Sequence, residues 1–342
     1  MTIQNSQWYY IKRPEAQIGK ENYKLRTESL DSSKMQAGEI LIKSKYISVD
    51  PYMRIHQSIH DTWEKPQALN TLQGGGVVGE VIESSSAKFK SGDFVNAYSG
   101  WQEYAIINES DARLLYPEKA PISTSLGVLG MPARVAYFGL LEAGKLKSSD
   151  TVVVSGAAGA VGSIVVQIAK IKGCRVVGTA GTQEKLDYLK NEIGIDAAIN
   201  YKENNSLNAM TKALQNACPD GIDVYYDNVG GNITDAVFNL INKKARILIC
   251  GQISQYNHGL DEPGMGPRFL HKMLYTRATI QGILSRDYKE RMPEMLDEMS
   301  PWVNSGELKY EETIINGFEN LPTALSGLFD GINKGKLLVQ VY

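Results

Sequence analysis

From Glu39 to about Glu109 apolar and polar positions alternate in short runs, EILIKSKYISVD, GGVVGEVIES and DFVNAYSGWQEYAII, divided by turn formers such as Lys90-Ser91-Gly92-Asp93. A period of two sends successive side chains to opposite faces of a strand, so this stretch predicts an antiparallel barrel or sandwich. From about Ser125 the texture changes to apolar runs of five or six residues alternating with helical stretches of ten or more. That is the pattern of a parallel sheet buried under helices on both faces. Six strands are predicted: Thr151–Ser155, Arg175–Ala180, Ala197–Asn200, Ile222–Asp227, Ala245–Cys250 and Thr279–Leu284, together a doubly wound sheet.

The uncharged stretch between Asp150 and Lys170 is long enough to span a bilayer as one helix. It reads instead as strand, turn and helix. Val152 to Val154 favour a buried strand, Gly156, Gly159 and Gly162 interrupt, and Val161, Val165 and Ile168 then recur at helical spacing. After a helix near Met292–Asn304, the tail carries a helix around Leu321–Phe329, a turn from Gly331 to Gly335 and a strand LLVQVY. It is too short to form a domain and is expected to return to the first one. The organisation expected is therefore 1–124, 125–304 and a returning tail, 305–342.

Length and composition narrow the class. At 342 residues the chain holds about two domains, and 43% apolar with 22% charged residues is an ordinary globular composition. A net charge of −2 gives no long-range pull toward phosphate backbones, so nucleic acid is not an expected partner. The opening MTIQNSQWYYIKRPE lacks the basic start and apolar stretch of a signal peptide, and no amphipathic membrane anchor is evident. Cys174, Cys218 and Cys250 are odd in number and widely spaced, which suits neither a disulfide framework nor a four-thiolate zinc site. A cytoplasmic location is expected.

The chemistry begins at the junction of the valine strand with its helix. Gly156 allows a tight turn, the bare backbone at Gly159 admits a pyrophosphate, and Gly162 lets helix and strand pack closely. The helix start offers free N–H groups and a positive dipole end to the anion. Dinucleotide binding follows. The second strand reports which dinucleotide: an NAD site places a carboxylate there for the ribose hydroxyls, whereas this chain reads Val177-Gly178-Thr179-Ala180-Gly181. Lys185 follows one helical turn later, where its ammonium can meet a 2′-phosphate, so NADP(H) is expected over NAD(H).

A barrel-like domain, a dinucleotide domain and a returning tail resemble the medium-chain dehydrogenase/reductase superfamily over nearly the whole chain. The resemblance implies an α/β fold, a GroES-like β-barrel domain plus a doubly wound parallel-sheet Rossmann domain. The zinc enzymes of that superfamily carry a Gly-His-Glu run before a Gly-x-Gly-Val turn. Here the run is Thr71-Leu72-Gln73-Gly74-Gly75-Gly76-Val77, with Leu72 in the ligand position, and no metal is expected. His56 and His60, four apart, have no glutamate between them and no evident third ligand, so they read as surface or loop histidines; His258 and His271 are isolated.

Several runs resemble a metal-free branch of this superfamily, the leukotriene and prostaglandin reductases and alkenal double-bond reductases, and most closely its bacterial, curcumin-reducing members. They include Val49-Asp50-Pro51-Tyr52-Met53-Arg54, Leu129-Gly130-Met131-Pro132, Ala157-Ala158-Gly159-Ala160-Val161-Gly162, Asp227-Asn228-Val229-Gly230-Gly231 and Asn333-Lys334-Gly335-Lys336. The resemblance implies NADPH-driven reduction of α,β-unsaturated ketones and aldehydes, and a homodimer. It places the pyrophosphate at Ala158, Gly159, Ala160 and Val161, and the 2′-phosphate near Lys185 and Tyr201 beside Gly181. Asn228, Gly251 and Ser254 would edge the nicotinamide, Tyr256 its ribose, and Asn333 would reach the cofactor from the tail. Tyr52, Met53 and Met131 are implied as the substrate wall, with Tyr256 first and Tyr52 next as the tyrosine that holds and protonates an enolate. Ala133-Arg134 departs from the small or apolar residues usual there. Quinone reduction, enoyl-thioester reduction and a non-catalytic NADPH-binding role remain as alternatives; the thioester reading lacks a basic patch for its carrier.

Overall fold

Two nine-residue strands open the chain in the computed structural model, which describes residues 2–257 and 264–342; His258 lies outside the described residues. β1 (Thr2–Tyr10) and β2 (Tyr23–Asp31) pair antiparallel, from Thr2 opposite Asp31 to Tyr10 opposite Tyr23. The apolar pattern does not announce this hairpin. β2 buries only Tyr23, and the buried positions of β1 are Asn5, Trp8 and Tyr10, so neither strand has a clean two-residue apolar period. β3 (Glu39–Ser48), helix α1 (Tyr52–Ile55), β4 (Thr71–Leu72), β5 (Val77–Ser84), β6 (Phe94–Ala97), β7 (Tyr104–Asn108) and β8 (Ala112–Leu115) follow. β3 is shared: Glu39 to Lys43 pair with β7, and most of its length pairs with β5 through two register shifts. Its inward side chains Ile40 and Ile42 pack with Val81, Val95 and Ala105 in a core of their own.

The parallel sheet belongs to a second compact unit, Val128–Glu311; the first comprises Met1–Gly127 and Glu312–Tyr342. Its strands are β9 (Thr151–Val154), β10 (Arg175–Ala180), β11 (Ala197–Asn200), β12 (Ile222–Asp227), β13 (Ile241–Ile249) and β14 (Thr279–Gly282). Four of the six match the predicted segments at both ends or within one residue, while β13 begins earlier than predicted and β14 ends sooner. Neighbours run β11-β10-β9-β12-β13-β14, all parallel. The chain builds outward from β9 to β11 and then crosses to β12 on the other side of β9. This reversal opens a crevice beyond the carboxyl ends of β9 and β12, the place where doubly wound sheets take their ligands.

Helices α2 (Met131–Phe138), α3 (Gly162–Ile171), α4 (Gln183–Asp187), α5 (Leu207–Ala217), α6 (Asn232–Val237), α7 (Leu270–Thr276) and α8 (Met292–Ser305) belong to this second unit. Val152, Val153 and Val154 are fully buried, as strands covered on both faces require.

The tail completes the first unit. β15 (Glu312–Asn316) runs parallel to β16 (Lys336–Gln340), α9 (Leu321–Asp330) lies between them in sequence, and β16 pairs antiparallel with Tyr46 to Ser48 of β3. Leu321, Ala324, Leu325 and Leu328 of α9 join Trp8, Tyr10 and Met53 in one core. The Trp8 indole N–H donates to Phe318 O at 3.1 Å, satisfying a polar atom that burial would otherwise strand.

Candidate active site

The turn between β9 and α3 is built by omission. Gly156 sits at φ +59°, in the left-handed region that L side chains avoid. A methyl at Gly162 would lie 2.2 Å from Gly156 O, so only glycine allows helix and strand this close. At Gly159 a methyl would meet only Gly156 O, at 3.2 Å, and the backbone there is open to an approaching group. Val161, at the cap position just before α3, has no side chain that can cap it; α4 and α5 are capped by Thr182 and Ser206. The N–H groups of Ser163 and Ile164 are taken by Gly159 O and Val161 O, at 3.0 and 3.1 Å, so what the uncapped start offers an anion is the positive end of the helix dipole beside a bare glycine backbone. Ala158 is buried, while Ala160 and Val161 are half-buried at the lip. These features fit a dinucleotide pyrophosphate.

Ends of β10 and β11 form a second cluster. Ala180 pairs with Asn200, which brings Tyr201 over Gly181: a methyl at Gly181 would lie 2.6 Å from the Tyr201 hydroxyl. Lys185 is half-buried in the first turn of α4, and its ammonium pKa is pushed down, first by burial and then by the positive charge of Lys202. Lys202 acts on Lys185 against a smaller, opposite pull from Glu184, and with no carboxylate at the end of β10 this place fits the phosphate of a phosphorylated dinucleotide. Lys202 was missed in the sequence because it lies across a strand-to-strand gap that only the sheet closes.

The third element is the pair of loops after β12 and β13. Asn228 Nδ2 donates to Ser155 O at 2.7 Å, and Ser254 Oγ donates to Val229 O at 2.6 Å. Cys250 N and Gly251 N both donate to Asp227 O, at 2.9 and 3.0 Å. Tyr256 is buried and its hydroxyl accepts the Gln252 N–H at 2.8 Å. Burial is the main cause that raises its pKa, so the phenol keeps its proton. A methyl on Gly251 would lie 2.8 Å from that hydroxyl, so the glycine is what lets the phenol in. The fully buried Ser155 and Asp227, absent from the predicted site, tie these loops to the glycine turn. An aspartate ending a buried strand just before a Gly-Gly turn was the available signal.

In the first unit, Tyr52 opens α1 and its hydroxyl is hydrogen-bonded to that of Tyr98; burial and then Tyr98 push its pKa well up. The preceding Asp50 is held in a buried ion pair: Lys336 Nζ lies 3.1 Å from Asp50 Oδ1 and also donates to Val49 O at 2.8 Å and Leu337 O at 2.9 Å. Removing one member of such a pair costs about 3–5 kcal/mol, so the tail strand fixes the segment that carries Tyr52. Met53 is fully buried against Trp101 and Gly75, packed as core rather than presented as a wall. Asn333 donates its amide to Gly335 O at 2.7 Å and so braces its own turn.

Met131, in the second unit, begins α2 half-buried. Arg134 donates Nε to Ser285 Oγ at 2.9 Å, which commits the unusual guanidinium to helix packing. His56 lies in the turn after α1, as a loop histidine, but it is not at the surface. Its side chain is 13% exposed, its Nε2 lies 2.9 Å from Glu64 Oε1, and its ring packs between Tyr52 and Trp63. His60 and His271 are exposed. Among the described residues no three His, Cys, Asp or Glu side chains are grouped to hold a metal ion.

Comparisons with known proteins agree with this architecture. Residues 6–115 match the family described as "N-terminal domain of oxidoreductase" and residues 160–301 that described as "Zinc-binding dehydrogenase". The chain is 39% identical over 340 residues to the NADPH-dependent curcumin reductase of Escherichia coli (strain K12), covering 98% of this chain and 97% of that one. It is 41% identical over 309 residues to the NADP(+)-dependent 2-alkenal reductase of Nicotiana tabacum, covering 89% of this chain and 88% of that protein. The crystal structure of CurA in complex with NADPH from Vibrio vulnificus superposes with a TM-score of 0.91 at 39% identity, covering 98% and 99% of the two chains. With that likeness running along both units, and with the glycine turn and switch-point crevice in place, the chain belongs to the medium-chain dehydrogenase/reductase family, in the branch of the prostaglandin and alkenal double-bond reductases.

Proposed function

We propose that this protein reduces the carbon–carbon double bond of α,β-unsaturated ketones and aldehydes with NADPH. The observation that carries the reading is the pairing of an uncapped, glycine-lined helix start with the Lys185, Lys202 and Tyr201 cluster, which suits a phosphorylated dinucleotide. The relatives that reduce curcumin and 2-alkenals name the substrate chemistry. Bound there, the cofactor supplies a hydride for the β-carbon.

The protein's share is orientation, charge and a proton. As the β-carbon receives the hydride, negative charge gathers on the carbonyl oxygen as an enolate, and a neutral phenol is a suitable donor to it. Tyr256 is the first choice: its oxygen is anchored by the Gln252 N–H, which leaves its own proton to give. Tyr52 is the second, anchored through Tyr98 and also kept protonated by burial. Protonation at the α-carbon then yields the saturated carbonyl compound. Asn228, Gly251 and Ser254 would border the nicotinamide.

We further propose a homodimer in the cytoplasm. β14 is the edge of its sheet, all four of its residues are exposed, and Leu270, Leu274 and Tyr275 of α7 are each more than two-thirds exposed. An open strand edge beside exposed apolar side chains favours pairing with a second copy. No described helix is long and apolar enough to cross a membrane. The three cysteines are free thiols, as is usual in a reducing compartment.

The test is NADPH consumption on a panel of enones, alkenals, quinones and enoyl thioesters, with product masses. Enones and alkenals should gain two hydrogens with the carbonyl retained; an alcohol product, or no consumption, overturns the reading. Tyr256→Phe should lower turnover about 10²-fold with an enone, the usual worth of a positioned proton donor. Full turnover would move the role away from Tyr256.

A further inference from the structure

We infer that Asp227 is a positioning residue for the cofactor: through Ser155 and the 228–231 turn, it locks the glycine turn and the 250–256 loop into one arrangement. The inference rests on the NADPH site proposed above. The carboxylate is fully buried and lies where five donors converge. Oδ1 accepts from Ser155 Oγ at 2.8 Å, Tyr225 OH at 2.9 Å, Val229 N at 3.0 Å and Gly230 N at 2.9 Å; Oδ2 accepts from Thr234 Oγ1 at 2.6 Å. None of these partners is a cation, so the charge is met by dipoles drawn from β9, β12, the turn and α6. A buried carboxylate that engages so many donors holds each of them in place, because losing any one leaves charge unsatisfied.

The consequences run outward in two directions. Ser155 Oγ, fixed by its bond to Asp227, accepts the N–H groups of Asn228 at 2.8 Å and Val229 at 3.2 Å. Ser155 directly precedes Gly156, whose added methyl would lie 3.2 Å from Val229, so the glycine turn and the 228–231 turn are packed against each other. On the other side, carbonyl oxygens of residues 227–229 carry the next loop. Asp227 O accepts from Cys250 N and Gly251 N, Asn228 O from Ile253 N at 3.3 Å, and Val229 O from Ser254 N at 3.1 Å. Asn228, Gly251, Ser254 and Tyr256 all hang from this one scaffold. Hydride transfer is steeply sensitive to distance, and a misplacement of about 1 Å can cost about 10²-fold.

Asp227→Asn keeps the shape but sets an N–H2 group among donors. In the ligand-free protein, hydrogen exchange at residues 228–231 and 250–256 should then accelerate at least about tenfold while β9, β10 and β12 stay protected. The NADPH dissociation constant, read from cofactor fluorescence, should rise about tenfold, and the KM for the enone should stay within about twofold. The primary isotope effect with NADPH deuterated at the transferred position should increase, as transfer becomes the slow step. Should Asp227→Asn fail to fold, Ser155→Ala and Thr234→Val each remove one hydroxyl donor and should shift the same readouts in the same direction by less. Unchanged exchange together with an unchanged dissociation constant and isotope effect overturns the inference, as does lost turnover without any change in exchange. A wild-type protein that does not bind NADPH would count against the proposed function, and the exchange rates would still decide the role of Asp227.

Discussion

The glycine turn at 155–162 and the loop pair at 227–231 and 250–256 face one crevice, yet they are built by opposite means. The first works through what is missing: side chains at Gly156, Gly159 and Gly162, and a capping side chain at the start of α3. The second works through what is present, a hydrogen-bonded network around Asp227 and Ser155. Omission tolerates nothing added, and a network tolerates nothing removed. The two regions should therefore fail differently.

The largest effect is expected at Gly162. In Gly162→Ala the new methyl would sit 2.2 Å from the backbone oxygen of Gly156, which cannot swing aside as a side chain tip could. Overpacking costs about 1–3 kcal/mol, and a clash with backbone falls at the upper end, so calorimetry should show a much lower melting temperature with or without cofactor. Gly159→Ala sharpens the contrast, because its methyl meets only one atom, at 3.2 Å. Its melting temperature should stay near that of the wild type while NADPH affinity falls about 10-fold to 100-fold through the lost approach of the pyrophosphate. Equal melting losses at both positions would mean that the turn serves packing alone.

Next comes Lys185→Ala, which removes a charge-assisted hydrogen bond worth about 1.5–3 kcal/mol to a phosphate. KM for NADPH should rise by about one order of magnitude or more, with NADH use unchanged. Equal use of both cofactors by the wild type would refute the assignment.

The smallest effect is a pH dependence at the same place. Burial and Lys202 lower the pKa of Lys185 in the free protein, and a 2′-phosphate favours the charged ammonium, so binding raises that pKa. Affinity for NADPH should thus be full below the free-protein pKa and decline as pH rises through it, with proton uptake on binding in that window. The fold itself has the opposite sign. A lysine whose folded pKa is depressed binds fewer protons folded than unfolded, so stability rises with pH through the interval between the two values. Titration calorimetry in buffers of different ionisation enthalpy checks the first statement and pH-dependent melting the second.

How much of this could be read from the sequence depended on distance along the chain. β9, the glycine spacing, β10 and the missing carboxylate after it lie within about thirty residues of one another, and each obeys a local rule of period, turn or charge. The opening hairpin escaped notice because β2 buries only one residue and so carries no alternation. Lys202 escaped because the parallel pairing of β10 with β11 is what sets it beside Lys185. Met53 read as a wall residue from its motif, although its side chain fills core space against Trp101.

By itself the sequence determined the order of the parallel-sheet strands, the place of the phosphate turn and the preference for a phosphorylated dinucleotide. Those follow from backbone sterics and local periodicity, which neighbouring residues fully encode. Tertiary structure alone decided which buried groups hold the site: Asp227 to Ser155 across two strands, and Lys336 to Asp50 across nearly the whole chain. A buried charge is stable only where distant donors converge on it, and only the folded chain brings them together.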